Sequence, residues 1–138
     1  MTKDEIFAIL HKPRNLQRKI KDCKREIKNC DFMAINIKSC ISNGIHVQTN
    51  KTAFEFWIDK KTVYENTLNI LNNNLEEADN KVENLLKCLE PTEYVILKLY
   101  YIDGLSWREI SEEVNYSFSH CRKIANKGKD NLINKMTH

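Results

Sequence analysis

The sequence predicts an all-α protein in which a long antiparallel coiled-coil hairpin is followed by a three-helix module. Its 138 residues include only three glycines and two prolines, so long helices can run without interruption. Apolar residues recur at heptad spacing through most of the first 89 residues. Helix-start and helix-stop residues then divide the remainder into short helices. We therefore expect two domains, at residues 1–89 and 90–138.

The hairpin is predicted from two apolar seams whose spacing alternates between four and three residues. The first seam consists of Leu16, Ile20, Cys23, Ile27, Cys30, Ala34, Ile37 and Ile41. The second consists of Trp57, Lys61, Tyr64, Leu68, Leu71, Leu75, Ala78, Val82, Leu85 and Leu89, with Lys61 as its one misfit. Residues from about 42 to 52 have no period and contain Gly, Asn and Thr, which predicts a loop. Two seams joined by a short connector indicate helices that fold back on each other.

The first 30 residues are basic, with a net charge of +5. In an antiparallel pairing, the basic segment Lys12–Lys28 lies opposite the acidic segment Glu76–Glu83. We prefer this attraction between the two arms to an N-terminal DNA-binding arm as the explanation of the charge. Phe54, Phe56 and Trp57 near the hairpin tip leave two interpretations open, closure of the tip and association with another protein.

Three short helices are predicted after residue 90. Pro91 suits the first turn of a helix, and Val95, Ile96, Leu99 and Tyr100 give that helix an apolar face. Asp103 and Gly104 end it, since glycine accepts the left-handed cap conformation. Ser106 and Glu109 form a capping box that starts a second helix at Trp107, which ends at Val114. Asn115 tolerates the left-handed conformation, and Ser117 caps a third helix from Phe118 towards Lys135.

The second and third helices match the residue pattern of a helix-turn-helix. The pattern needs a small residue in the first helix and a residue that accepts positive φ in the turn, and Ser111 and Asn115 stand there. Its apolar positions are filled by Ile110, Val114, Tyr116, Cys121 and Ile124. A helix-turn-helix places its second helix in the major groove of DNA.

The third helix also carries the side chains that DNA binding needs. Residues 115–138 have a net charge of +4, whereas residues 90–114 have −4. The residues of this helix that lie outside its apolar positions are Phe118, Ser119, His120, Arg122, Lys123, Asn126, Lys127 and Lys129. Lysine and arginine neutralise phosphates, while serine, histidine, asparagine and arginine bond base edges. A merely solvated helix face is the alternative interpretation.

The stretch `YVILKLYYIDGLSWREISEEVNYSFSHCRKIANKGKDNLI` resembles region 4 of bacterial sigma factors, which binds the −35 promoter element. Residues 12–135 as a whole resemble small phage- and prophage-encoded regulators of late genes or autolysis, which join a coiled-coil hairpin to a region 4-like module. The resemblance implies binding to double-stranded DNA in transcriptional control. It places Ser117, Phe118, Ser119, His120, Arg122 and Lys123 nearest the major groove. The sequence departs from sigma factors at Ile124 and at Ser119-His120, where those proteins carry more basic residues.

No catalytic motif is apparent, so we expect no enzyme and no cofactor. The five cysteines form no C-x-x-C pair and the four histidines show no metal spacing, which predicts reduced thiols and no metal site. We also expect no signal peptide and no membrane span, and therefore a cytoplasmic protein.

Three hypotheses remain for the function. The first is a phage-type transcription regulator whose hairpin self-associates, as a homodimer, or contacts RNA polymerase. The second is a sigma mimic that binds RNA polymerase without reading DNA. The third is a DNA-packaging protein like a small terminase subunit, which usually carries its DNA-binding motif first in the chain. The cations of the third helix and the chain order favour the first hypothesis.

Overall fold

The structure, a computed structural model, describes the backbone of residues 1–42 and 47–137 and the side chains of residues 1–40 and 52–137. Five helices account for almost all of this part of the chain, so the all-α prediction is confirmed. They are α1 (Lys3–Ser42), α2 (Val47–Leu86), α3 (Pro91–Tyr101), α4 (Trp107–Val114) and α5 (Phe118–Thr137). The predicted loop at about 42–52 is shorter than expected, because α2 already begins at Val47. Residues 43–46 of that loop lie outside the described residues.

The chain forms two compact units, and both contain parts of α1 and α2. One unit comprises Met1–Gln17 and Asn74–His138, and we call it the C-terminal unit because it contains α3, α4 and α5. The other comprises Arg18–Asn73, and we call it the middle unit. The turn between α2 and α3 falls at the predicted domain boundary, but the packing also brings the first 17 residues together with the C-terminal helices.

The middle unit has the burial pattern that the two seams predict. Ile20, Cys23, Cys30 and Ala34 are buried in α1. The seam residues of α2 are half-buried, and they are Trp57, Lys61, Tyr64, Leu68 and Leu71. The heptad pattern therefore marks the faces that this unit covers.

Two contacts join α1 to α2 within the middle unit. The thiol of Cys23 donates to the carbonyl oxygen of Tyr64 at 3.1 Å. The ammonium of Lys61 lies 2.6 Å from a carboxylate oxygen of Asp31, and this hydrogen bond raises the pKa of Lys61. The ion pair explains why lysine is tolerated at the one seam position that departs from the apolar pattern. From the first contact to the second, the residue on α1 changes from Cys23 to Asp31 while the residue on α2 changes from Tyr64 back to Lys61. The two helices therefore run antiparallel.

The C-terminal unit is built around an apolar core to which α1 contributes its first turns. Ile6 and Leu10 are fully buried there, and Pro13 is also buried inside the helix. Their partners come from the end of α2, from the turn after it and from the three short helices. The buried ones are Val82, Leu85, Leu86, Leu89, Ile96, Leu97, Tyr101, Ile110, Cys121, Ala125 and Leu132. Arg14 and Gln17 reach the C-terminal end of α3, donating to the carbonyl oxygens of Tyr100 at 3.2 Å and of the C-cap residue Ile102 at 2.7 Å.

The predicted apolar face of α3 is only partly correct. Ile96 is buried as expected, but Val95 remains 43% exposed, and Leu97 and Tyr101 are buried in its place. Burial raises the pKa of Tyr101 to about 12. This helix is covered on more than one side, so its buried residues do not form the single stripe that a two-helix contact produces.

Among the described residues, no helix is both long enough and apolar enough to cross a membrane.

Candidate nucleic-acid interface

Helix α4 is fixed at both ends by local hydrogen bonding and backbone geometry. At its start, the backbone N–H of Glu109 donates to the hydroxyl of Ser106 at 3.2 Å, and that hydroxyl donates to the carboxylate of Glu109 at 3.0 Å. At its end, Asn115 has φ +60°, in the left-handed region. Ser106 is therefore confirmed as the N-cap of α4, and Asn115 as its left-handed end. The carboxylate of Glu109 contacts the hydroxyl of Ser106 rather than its backbone N–H, which a full capping box would use. The first residue, Trp107, stacks on Tyr100 of α3 with ring centroids 4.5 Å apart.

Helix α5 begins at the residue that its cap predicts. The backbone N–H of His120 donates to the hydroxyl of Ser117 at 3.2 Å, which confirms Ser117 as the N-cap. Only Tyr116 lies between this cap and Asn115, so α4 and α5 are joined by a tight turn. The short connection fixes the direction in which α5 leaves α4.

One face of α5 is buried against the other short helices. It consists of Cys121, Ala125, Gly128 and Leu132, which recur at spacings of four, three and four. The buried thiol of Cys121 has a raised pKa because burial disfavours the thiolate, so this cysteine acts as a small apolar residue. A Cβ on Gly128 would lie 2.9 Å from the Cδ1 of Leu97, so the absence of a side chain allows α5 to approach α3.

A buried polar contact adds to this packing. Glu93 of α3 is only 5% exposed, and its two carboxylate oxygens accept from the side-chain amide of Asn131 at 3.0 and 3.3 Å. Because a carboxylate buried without a partner is costly, Asn131 fixes which face of α5 turns towards α3.

The opposite face of α5 and its N-terminal turn are exposed. Every one of the eight residues predicted to bind DNA is exposed, and they are Ser117, Phe118, Ser119, His120, Arg122, Lys123, Asn126 and Lys127. The structure thus brings all of them to the solvent-facing side of one helix and its cap. The guanidinium of Arg122 lies 5.8 Å from the centre of the Phe118 ring.

The other two cations of α5 are less free. Lys129 is half-buried, and its pKa is lowered by burial and by repulsion from Arg122. The ammonium of Lys135 donates to the carbonyl oxygen of Cys88, just after α2, at 2.6 Å. The accessible charge of α5 is therefore concentrated in its first half, at Arg122, Lys123 and Lys127.

Tyr116 is a correction to the predicted helix-turn-helix core. It was expected to be buried, but it is 41% exposed and its ring makes an edge-to-face contact with His120, with centroids 4.9 Å apart. Ala125, which was not predicted, is fully buried in α5, whereas Ile124 is half-buried. Tyr116 thus adds an aromatic ring next to His120 on the exposed surface.

Two of the three acidic residues of α4 have partners in that helix or at its cap. Glu109 contacts its cap, and Glu112 lies 3.7 Å from Arg108.

In chemical terms, the face of α5 offers cations, hydroxyls, an imidazole and an amide, which suits an anionic polymer with hydrogen-bonding edges. The described residues contain no group of three His, Cys, Asp or Glu side chains that could hold a metal ion.

No family model matches the chain, and no curated protein or solved structure matches it significantly.

Proposed function

We propose that this chain is a sequence-specific DNA-binding transcriptional regulator of the phage or prophage type. In this proposal α4 and α5 form a helix-turn-helix, and α5 enters the major groove. The paired helices α1 and α2 form an antiparallel coiled-coil hairpin that serves self-association or contact with RNA polymerase. The observation that carries the proposal is the separation of α5 into a buried apolar face and an exposed face bearing Arg122, Lys123 and Lys127.

The dimensions of α5 are suitable for the major groove. Its 20 residues span about 30 Å at a rise of about 1.5 Å per residue. The major groove is about 12 Å wide and admits one α-helix. The three accessible cations fall within the first ten residues of α5, a length of about 15 Å that one groove crossing can contact.

The residue types suggest how this face divides the work of recognition. Arg122 and Asn126 are the side chains best able to make bidentate contacts with guanine and adenine. Lys123 and Lys127 bring positive charge to phosphates, and Ser119 and His120 bring further donors. Phe118 and Tyr116 supply apolar surface for thymine methyl groups or sugars. We infer that the helix reads sequence as well as charge.

The test is a fluorescence-anisotropy titration of the whole protein with two labelled duplexes. One duplex is the DNA upstream of the protein's own operon, and the other is a scrambled duplex of the same length and composition. We expect tighter binding to the native duplex. The double variant Arg122→Ala/Lys123→Ala should weaken that binding by about tenfold or more, because each lost contact contributes about 1 kcal/mol or more.

Two further variants keep the result interpretable. Lys81→Ala/Lys87→Ala removes the same charge from two exposed positions of the same unit, one in α2 and one just after it, and should leave the affinity nearly unchanged. Lys24→Ala/Lys28→Ala does so on α1 and tests the alternative of an N-terminal DNA-binding arm. An affinity that the α5 variant leaves unchanged would reject DNA reading by this helix and favour a polymerase-binding sigma mimic. Equal affinity for all duplexes that still depends on α5 would favour a packaging role.

A further inference from the structure

A second apolar stripe runs along α2, outside the seam that packs in the middle unit. Phe56, Val63 and Ile70 are spaced seven residues apart and are 56%, 62% and 60% exposed. Seven residues are nearly two helical turns, so the three side chains lie on one face. Large apolar residues scattered singly over a surface need no explanation, but a heptad-spaced row is the pattern of a helix that packs against another helix.

The surroundings of the stripe differ from an ordinary solvated helix face at its Ile70 end, whereas Asp59 and Lys60 lie between Phe56 and Val63. No charged residue occurs from Asn66 to Leu75, although this ten-residue segment lies in the middle of a long exposed helix. The exposed polar positions of the segment carry asparagine or threonine instead, at Asn66, Thr67, Asn69, Asn72, Asn73 and Asn74. Depletion of charged residues around apolar side chains distinguishes interface cores from the rest of a protein surface.

We propose that this stripe binds the same stripe of a second copy of the chain. The two α2 helices run antiparallel, with Val63 on the two-fold axis and Phe56 opposite Ile70 of the second copy. In this register Asp59 faces Thr67 and Lys60 faces Asn66, so like charges do not meet. A parallel pairing would instead set Asp59 against Asp59 and Lys60 against Lys60, which is unfavourable.

The apolar area suits an interface of modest strength. At more than half exposure, the three side chains present roughly 300 Å² per copy, or about 600 Å² in a dimer. Burial of the neighbouring asparagine and threonine side chains brings the total towards about 1,000 Å², the lower range of specific interfaces. The dimer is therefore expected to dissociate on dilution. This inference rests on the self-association role of the hairpin in the proposed function. It involves the middle unit alone, so its failure would leave the DNA-binding part of that proposal standing.

The test measures mass against concentration by sedimentation velocity, from about 1 to about 200 µM, the range in which a small interface associates. The wild type should pass from monomer to dimer. Val63→Lys should stay monomeric, because it sets two ammonium groups against each other on the axis. The matched control is Ile35→Lys on α1, which alters an isoleucine that is 66% exposed and lies outside the stripe, and it should dimerise like the wild type.

Mixing charge-reversed copies identifies the contact more directly. Val63→Glu should also be monomeric alone, but an equimolar mixture with Val63→Lys should regain the dimer, because the opposite charges then meet on the axis. Circular dichroism should show unchanged helix content, since the position is exposed and lysine and glutamate favour helix more than valine does. A wild type that stays monomeric at about 200 µM, a Val63→Lys variant that still dimerises, or a mixture that fails to associate would overturn the proposal.

Discussion

The seating of α5 on α3 depends on Gly128, which makes Gly128→Ala the most informative single substitution in the C-terminal unit. Alanine is favoured over glycine inside a helix by about 1 kcal/mol. The added Cβ would nevertheless lie 2.9 Å from the Cδ1 of Leu97 and 3.2 Å from the Cβ of Glu93. Leu97 is fully buried and Glu93 is nearly so, which leaves these atoms little room to move.

The magnitude follows from the opposition of these two effects. Overpacking of a well-packed core costs about 1–3 kcal/mol. After subtraction of the helix-propensity gain, Gly128→Ala should lower the free energy of unfolding by about 1 kcal/mol. In a Leu97→Ala background, which itself costs about 2–5 kcal/mol, the clash with Cδ1 is absent. There the 3.2 Å approach to the Cβ of Glu93 remains, so the same substitution should raise the free energy of unfolding by up to about 1 kcal/mol, and its effect changes sign.

The assay is urea denaturation followed by tryptophan fluorescence. The chain has two tryptophans, Trp57 in the middle unit and Trp107 in the C-terminal unit. In a Trp57→Phe background, the signal reports the C-terminal unit alone. If Gly128→Ala stabilised the protein in both backgrounds, the close approach of α5 to α3 would be refuted.

Three other substitutions test separate parts of the C-terminal unit by the same denaturation assay. Leu10→Ala should cost about 2–5 kcal/mol, because the side chain is fully buried, whereas an independent C-terminal module would be unaffected. Asn115→Ala should cost about 1 kcal/mol and Asn115→Gly much less, because only alanine is strained at φ +60°; equal losses would argue against this conformation. One carboxylate oxygen of Asp79 is buried and has no hydrogen-bond partner among the residues that the structure describes, and burial together with the charge of Asp103 raises the pKa of Asp79 above 3.8. The raised pKa means that the protonated side chain of Asp79 favours the folded state below pH 3.8, and that this contribution is lost as the pH rises through the folded pKa. Asp79→Asn should therefore stabilise the protein at pH 7 by up to about 1 kcal/mol and have less effect near pH 4. A gain that did not depend on pH would refute this explanation.

Local signals allowed the short C-terminal helices to be predicted closely. The bounds of α4 follow from Ser106 and Asn115, because a cap hydroxyl and a residue that accepts positive φ act within a few residues of chain. The seams of α1 and α2 were predictable for a similar reason. In a contact between two helices, burial follows a single period.

Burial could not be predicted from helical periodicity where a helix packs against several neighbours. Val95 and Tyr116 were expected in the core and are exposed, since the packing of three helices and the start of α1 decides which side of each is covered. The contribution of Ile6 and Leu10 was missed because Pro13 interrupts the pattern before Leu16. Ile6, Leu10 and Pro13 are spaced by four and then three residues, and this spacing is the signal that could have extended the first seam towards the N-terminus.

The candidate interface on α5 also has one property that the sequence predicts and one that it does not. The exposure of the first half of α5 follows from its buried stripe, which the positions of Cys121 and Gly128 define. The loss of Lys129 and Lys135 as free cations does not follow from the sequence. Lys129 is lost through its burial, and Lys135 through the carbonyl oxygen of Cys88, which tertiary packing alone brings within reach.

The central claim, that α5 binds DNA through its exposed cations, is tested most directly by the salt dependence of that binding. The slope of the logarithm of the affinity against the logarithm of salt concentration counts the phosphates neutralised, at about 0.9 per contact. We expect Arg122→Ala/Lys123→Ala to reduce the slope by about 1 to 2, according to how many of the two side chains contact phosphate, while Lys81→Ala/Lys87→Ala leaves it unchanged. Identical slopes for the wild type and the α5 variant would contradict the account, because they would show that DNA does not contact this face.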